Sequence, residues 1–174
     1  MNFSSTPLAG VYLVKRKKRC DERGFFTRTF CRETFLQRGL AGDFPQCSLS
    51  FNARRGTLRG LHFQKAPYEE DKLVWCSRGA IYDVAVDVRP SSLTYKKWVA
   101  YTLTDENQTM LYIPKGCAHG FLTLVDETEV VYHISTPFTP SAGQGVRWDD
   151  PALSIDWPLP VTVIATKDQS YDDL

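Results

Sequence analysis

Histidine is scarce in this chain, with three in 174 residues, so any imidazole chemistry must pass through very few side chains. Charge of either sign is not in excess: 21 basic and 20 acidic residues leave a formal net charge of +1. That balance argues against a nucleic-acid-binding protein and against a strongly charged membrane binder. No apolar run approaches the length of a membrane span, and the Met1–Gly10 start lacks the charged and apolar regions of a signal peptide. The five cysteines, Cys20, Cys31, Cys47, Cys76 and Cys117, are odd in number and form no C-x-x-C pair. They predict a reduced, cytoplasmic protein without disulfides or a zinc cluster. Fixed-period repeats, low-complexity segments and linkers are also missing, so a single domain over residues 1–174 is expected.

What is present is a succession of short apolar runs cut by glycine, proline and polar turns. Gly10 to Val14 reads as a first strand, followed by the basic run Lys15 to Arg19, a solvated turn balanced by Asp21 and Glu22. Phe25 to Phe30 is aromatic enough for a strand. Arg32 to Leu40 has Phe35, Leu36 and Leu40 at helical spacing, with Gly42 beyond as a stop. Later, Ser48 to Ala53 and Thr57 to Gln64 flank Arg54-Arg55-Gly56. Lys72 to Ser77 and Ala80 to Val88 read as a hairpin around Arg78-Gly79. Trp98 to Thr104 and Met110 to Pro114 read as another around Asp105-Glu106-Asn107, and Ala118 to Val125 is joined to Val130 to Ser135 by Asp126-Glu127-Thr128. The pattern predicts an all-β antiparallel sandwich or barrel with one or two short helices, and a tail from Pro151 that wraps it.

Thr57-Leu58-Arg59-Gly60-Leu61-His62-Phe63-Gln64 sets one of the few histidines in a strand between an arginine and a glutamine. Small β-barrels of the cupin superfamily hold metal with an H-x-H pair, a following Glu and a later His. Here the pair reads His62-Phe63-Gln64, Glu69 and Glu70 fall in a loop-like stretch, and only His119 resembles the later motif. One imidazole from each motif is too few for a tight divalent site, so no metal is expected.

Proton abstraction next to a carbonyl suits such a barrel better. It needs a base near neutral pKa, a carboxylate to orient it, a cation on the developing enolate and an acid to return the proton. His62, Asp168, Lys72 and Tyr132 can fill those roles in turn. Each also has a plain structural reading: a satisfied core histidine, a solvated tail aspartate, a strand-edge lysine and a core tyrosine.

Several motifs in order resemble the dTDP-4-dehydrorhamnose 3,5-epimerase family. They are Asp21-x-Arg23-Gly24-x-Phe26-x-x-x-Phe30, Leu58-Arg59-Gly60-Leu61-His62-Phe63-Gln64 and Lys72-Leu73-Val74. Asp83-Val84-Ala85-Val86-Asp87, Ile113-Pro114-x-Gly116-x-Ala118-His119-Gly120-Phe121 and Arg147-Trp148-Asp149-Asp150-Pro151 continue the match, followed by Ile155-Asp156-Trp157-Pro158. The resemblance implies a metal-free, cofactor-independent cupin-type double-stranded β-helix. It also implies a homodimer whose first strands cross to the partner, and a nucleotide-diphosphate sugar as substrate. It places the base at His62, its carboxylate at Asp168, the acid at Tyr132 and the enolate-side lysine at Lys72. Arg23, Arg59 and His119 match positions that hold the diphosphate, and Gln46 and Lys167 match further substrate-binding positions.

The departures cluster where the family reads its nucleotide. Arg28 stands in the glutamate position of R-G-x-F-x-E-x-F, Gly143 replaces another glutamate, Phe138 replaces the tyrosine that stacks on thymine, and Ser48 replaces an asparagine. Thymine offers an N3–H donor, which suits a glutamate; cytosine offers acceptors, which suit Arg28, and guanine can also take an arginine. The expectation is therefore an epimerase acting at C3, C5 or both of an NDP-4-keto-6-deoxyhexose, CDP-linked in preference to GDP or dTDP, in deoxysugar or O-antigen synthesis. The alternatives are an ordinary dTDP-4-dehydrorhamnose 3,5-epimerase, a 3,4-ketoisomerase on the same scaffold, and a non-catalytic sugar-nucleotide-binding module.

Overall fold

Between Gln46 and Ile134 almost every residue that is not in a polar turn lies in a strand. The computed structural model describes residues 1–174. Its elements begin with β1 (Asn2–Ser5), β2 (Tyr12–Lys15), a small hairpin of β3 (Arg19–Asp21) and β4 (Gly24–Phe26), and helix α1 (Arg32–Leu36). The barrel strands follow: β5 (Gln46–Asn52), β6 (Thr57–Gln64), β7 (Lys72–Arg78), β8 (Ala80–Asp87), β9 (Trp98–Thr104), β10 (Thr109–Ile113), β11 (Cys117–Thr123) and β12 (Thr128–Ile134). The chain ends with β13 (Gly143–Gly145), β14 (Val163–Ile164) and helix α2 (Thr166–Gln169).

Two sheets face each other, one in the order β1-β2-β10-β7-β12-β5 and the other β13-β6-β11-β8-β9, with β14 lying parallel to the start of β6. This is the expected double-stranded β-helix. The hairpins expected across Arg78-Gly79 and across Asp105-Glu106-Asn107 do not form, however. β7 and β8 lie in opposite sheets, as do β9 and β10 and the segments joined at Asp126-Glu127-Thr128. Turn residues mark where a chain reverses, not whether it stays in the same layer. Here the deciding term is the burial of both faces of these strands, which no local hairpin supplies.

Three apolar layers provide that burial. Val74, Cys76, Ile81, Ala85, Leu111, Phe121 and Val130 fill the space between the sheets. On the outer face of the first sheet, Leu73, Trp75, Met110 and Tyr112 pack under Phe35 of α1 with Phe3, Phe30 and Phe44. On the outer face of the second, Val84, Val86 and Ala118 pack under Val146, Leu153, Ile155 and Trp157, so the tail does wrap the barrel. Asp83 and Asp87, on the opposite face of β8 from Val84 and Val86, are fully buried.

The boundaries near the amino terminus are corrected. β1 precedes the expected first strand, only Phe25 and Phe26 of the Phe25–Phe30 stretch pair, and α1 stops at Leu36. Phe30 and Leu40 serve the outer aromatic layer rather than extending regular structure.

One glycine fixes the geometry of the site. Gly60 has φ +127, and a Cβ there would stand 2.5 Å from Gly120 Cα and 2.8 Å from His119 O. β6 and β11 pair His62 with His119 and Arg59 with Phe121, with a register shift between them, and Gly60 sits at that shift. Gly60→Ala is expected to destabilise the protein by about 3 kcal/mol, from overpacking against a neighbouring backbone together with an unfavourable φ. Urea unfolding reads this directly, and an unchanged midpoint would mean that the two strands separate freely at this point.

Candidate active site

At the polar end of the barrel a cleft of about 700 Å³ opens between the sheets. β6 brings His62 to it from one sheet, and β14 followed by α2 returns the tail so that Asp168 meets the imidazole. His62 Nε2 and Asp168 Oδ1 are 2.7 Å apart, and the Gly60 N–H donates to Asp168 Oδ2 at 3.1 Å. The His62 side chain is 43 % exposed and that of Asp168 only 7 %, so the imidazole faces the cleft and its partner lies behind it. Burial works against the Asp168 carboxylate, but the hydrogen bond with His62, together with the Gly60 N–H and Lys167, outweighs it and holds the pKa below its ordinary value. An ionised Asp168 accepts from Nε2–H, which leaves the lone pair on Nδ1, an atom with no hydrogen bond inside the chain.

The facing sheet supplies Tyr132 and Lys72. Tyr132 Oη lies 3.2 Å from Ser50 Oγ, and its ring stands 6.2 Å from that of His119. Burial raises the Tyr132 pKa well above its ordinary value, so the phenol keeps its proton at neutral pH. Lys72 Nζ donates to His62 O at 3.0 Å and to Glu70 Oε1 at 3.0 Å. Two of its three N–H donors are therefore committed, and the third remains for the cleft. Glu70 Oε2 is buried without a partner.

The remaining expected residues divide. Ser48, Arg59, His119, Phe138 and Lys167 line the cleft. Arg59 Nε donates to Asn52 Oδ1 at 2.7 Å, which holds the guanidinium in place. His119 Nε2 is 2.8 Å from Asp83 Oδ1, forming a second and fully buried His–Asp pair beside the first. Gln46 stands at the rim, its Oε1 accepting the Phe138 N–H at 2.7 Å. Phe138 remains exposed, and a Cβ on Gly143 would come within 3.2 Å of its ring, so the missing side chain at 143 makes room for it.

Arg23 and Arg28 are not brought to this cleft by their own chain. Arg23 is exposed at the β3–β4 hairpin and paired with Asp21 at 2.6 Å, and Arg28 is exposed beyond that hairpin. No group of three or more His, Cys, Asp or Glu side chains gathers where it could hold a metal ion.

Ser50, Asn52, Glu70, Asp83 and Tyr171 also belong to this site, as lining or as direct partners of lining residues, and sequence reasoning missed them. For two of them a signal existed: Gln46, Ser48, Ser50 and Asn52 alternate as polar residues along β5, the mark of a wetted inner face. The Tyr171 ring lies 5.9 Å from that of His62, at 73° to it, and nothing local in the sequence announces that meeting.

Comparison with known proteins agrees with this fold. Residues 5–174 match the family model for dTDP-4-dehydrorhamnose 3,5-epimerase. A dTDP-4-dehydrorhamnose 3,5-epimerase from Sinorhizobium fredii is 44 % identical over 176 residues, covering 100 % of this chain and 90 % of that protein. The crystal structure of the enzyme of that name from Bacillus anthracis, with TDP and pyrophosphate bound, superposes with a TM-score of 0.96 at 38 % identity over 99 % of both chains. The Legionella pneumophila dTDP-6-deoxy-D-glucose-3,5-epimerase in complex with dTDP-4-keto-L-rhamnose gives a TM-score of 0.93 at 34 % identity, over 99 % of this chain and 92 % of that one. With motif order, barrel topology and family match all in agreement, this chain belongs to the dTDP-4-dehydrorhamnose 3,5-epimerase family.

Proposed function

We propose that the chain, as one domain over residues 1–174, epimerises a dTDP-4-keto-6-deoxyhexose by moving protons alpha to the C4 ketone. The observation that carries this is the free Nδ1 of a His62 locked to Asp168, in one cleft with the protonated phenol of Tyr132 and the ammonium of Lys72. His62 Nδ1 takes the proton from the carbon next to C4, and the electron pair moves through C4 to its oxygen. The enolate oxygen is stabilised by the remaining N–H of Lys72. The double bond then collapses back, and the carbon takes a proton from Tyr132 on the opposite face. Both groups recover their starting state by exchange with solvent. The ketone itself is the electron sink, so no cofactor enters these steps.

The nucleotide is assigned as dTDP rather than CDP. The similar proteins above are named for dTDP sugars. Arg59, Lys167 and His119 are suited to the diphosphate, with the Phe138 ring for the base. We assign a homodimer in which the β3–β4 hairpin crosses to the partner. β1 pairs with β2 of its own chain, whereas Phe25 and Phe26 at that hairpin and Leu49 and Phe51 on edge strand β5 are exposed apolar side chains. That exchange would carry Arg23 and Arg28 to the second cleft. The product serves a deoxysugar pathway such as O-antigen synthesis in the cytoplasm, and no helix is long and apolar enough to cross a membrane.

Incubation in deuterated water with dTDP-, CDP- and GDP-4-keto-6-deoxyglucose, followed by NMR, tests the assignment. Deuterium next to the ketone, fastest in the dTDP sugar, is expected. A tenfold preference for the CDP sugar would restore Arg28 as a cytosine reader. A carbonyl moved to C3 would make the protein a ketoisomerase, and binding without deuterium uptake would make it a non-catalytic module.

A further inference from the structure

Tyr171 has no part in the mechanism above, yet it stands against the base. Its ring lies edge-on to His62 at 5.9 Å and lines the same cleft, and Lys167 Nζ lies 5.9 Å from its centroid. Its hydroxyl makes no hydrogen bond inside the chain, so the ring is not held there by its polar end. The seat beneath it is specific. Gly145 pairs with His62 in register between β13 and β6, and a Cβ on Gly145 would fall 2.2 Å from the Tyr171 ring. A residue without a side chain opposite the base, with a large ring filling its space, fixes where that ring stands.

On the reading of the protein as a 4-keto-sugar epimerase, this placement has a consequence. One imidazole must serve any carbon that exchanges its proton, because the side chain of the second histidine, His119, is buried, 5 % exposed against 43 % for His62. C3 and C5 lie on opposite sides of C4, so a sugar anchored through its diphosphate must turn about C4 to present first one and then the other to His62 Nδ1. A rigid ring beside the imidazole occupies part of the volume which that turn sweeps.

We infer that Tyr171 is the specificity-determining wall of the sugar subsite, biasing His62 toward one of the two carbons that flank the ketone. In wild-type protein the two carbons should exchange with deuterium at unequal rates. Tyr171→Ala removes the wall, and Gly145→Ala displaces it without removing it. Both should raise the lagging carbon's rate relative to the leading one by threefold or more. Tyr171→Phe keeps the ring and should keep the wild-type ratio, whatever it does to the rate itself. Tyr171→Leu, which preserves apolar cover over the site, serves if the alanine variant folds poorly, and dTDP affinity reports the integrity of the cleft. Equal exchange at both carbons in the wild type, or a ratio unmoved in both the Tyr171→Ala (or Leu) and Gly145→Ala proteins, would overturn the inference. So would a ratio that shifts in Tyr171→Phe as much as in Tyr171→Ala, since the hydroxyl and not the ring would then be responsible. Absence of exchange at both carbons in the wild type is a different result, which removes the epimerase reading itself.

Discussion

Replacement of His62 by alanine is expected to slow deuterium uptake by the keto sugar by roughly 10³-fold while changing dTDP affinity little. The separation follows from where the groups stand. The residues suited to the nucleotide and diphosphate, Phe138, Arg59 and Lys167, do not depend on the imidazole for their positions, whereas the proposed proton removal depends on Nδ1 alone. Alanine also strips Asp168, 7 % exposed, of its closest partner and leaves it the Gly60 N–H. His62→Gln is therefore the companion variant, since its amide reaches the place of Nε2 and can still donate to Asp168 but is no base. Equal loss of exchange in the two variants, with a smaller fall in melting temperature for glutamine, identifies the missing function as proton abstraction. Exchange surviving in His62→Gln would move the base elsewhere.

The second large effect is expected at Lys72. Its side chain is 10 % exposed and that of Glu70 6 %, at 3.0 Å, so the pair is buried and the cost of removing one member is the uncompensated charge of the other. Lys72→Met should destabilise the protein by about 3–5 kcal/mol, or roughly 10 °C in melting temperature for a chain of this size. Exchange should also be lost, because the enolate loses its cation and the His62 carbonyl loses a donor. The double variant Glu70→Gln/Lys72→Met removes both charges and should recover most of the stability but none of the exchange. Recovery of exchange in the double variant would show that Lys72 serves packing alone, and a Lys72→Met protein as stable as wild type would show that water reaches Glu70.

How much of this was readable beforehand depended on whether the signal was local. Strand β6 was located to the residue, because Gly56 and the polar stretch after Gln64 bound an apolar run that no helix could use. β7 and β8 were also located, yet their partners were misassigned. Gly79, at φ +83, permits a tight reversal, but whether that reversal joins neighbours or crosses between sheets is decided by strands far along the chain. The candidate roles of His62, Asp168, Tyr132 and Lys72 follow from the needs of proton abstraction together with motif resemblance. Spacing alone could not bring Asp168 to His62 across the whole barrel, and only the β14–β6 pairing does so. Tyr171 and Gly145 were invisible for the same reason: a ring and the space it fills are one feature split between distant positions. Arg28 was noticed for its charge, but a single chain places that charge outside its own cleft.

The crossing of β5 to β6, β7 to β8, β9 to β10 and β11 to β12 between the two sheets also bears on how the molecule assembles. β2 must find β10, β5 must find β12, and β6 must find both β11 and β14, so apart from β1–β2, β3–β4 and β8–β9 no sheet pairing joins consecutive strands. Chains of this kind pay their loop entropy before they gain contacts, and they fold in milliseconds to seconds rather than microseconds. No half of the barrel can mature ahead of the other. A nascent chain must therefore leave edge strand β5 unpaired until β12 has been made, and that interval is when this protein most needs protection from its neighbours.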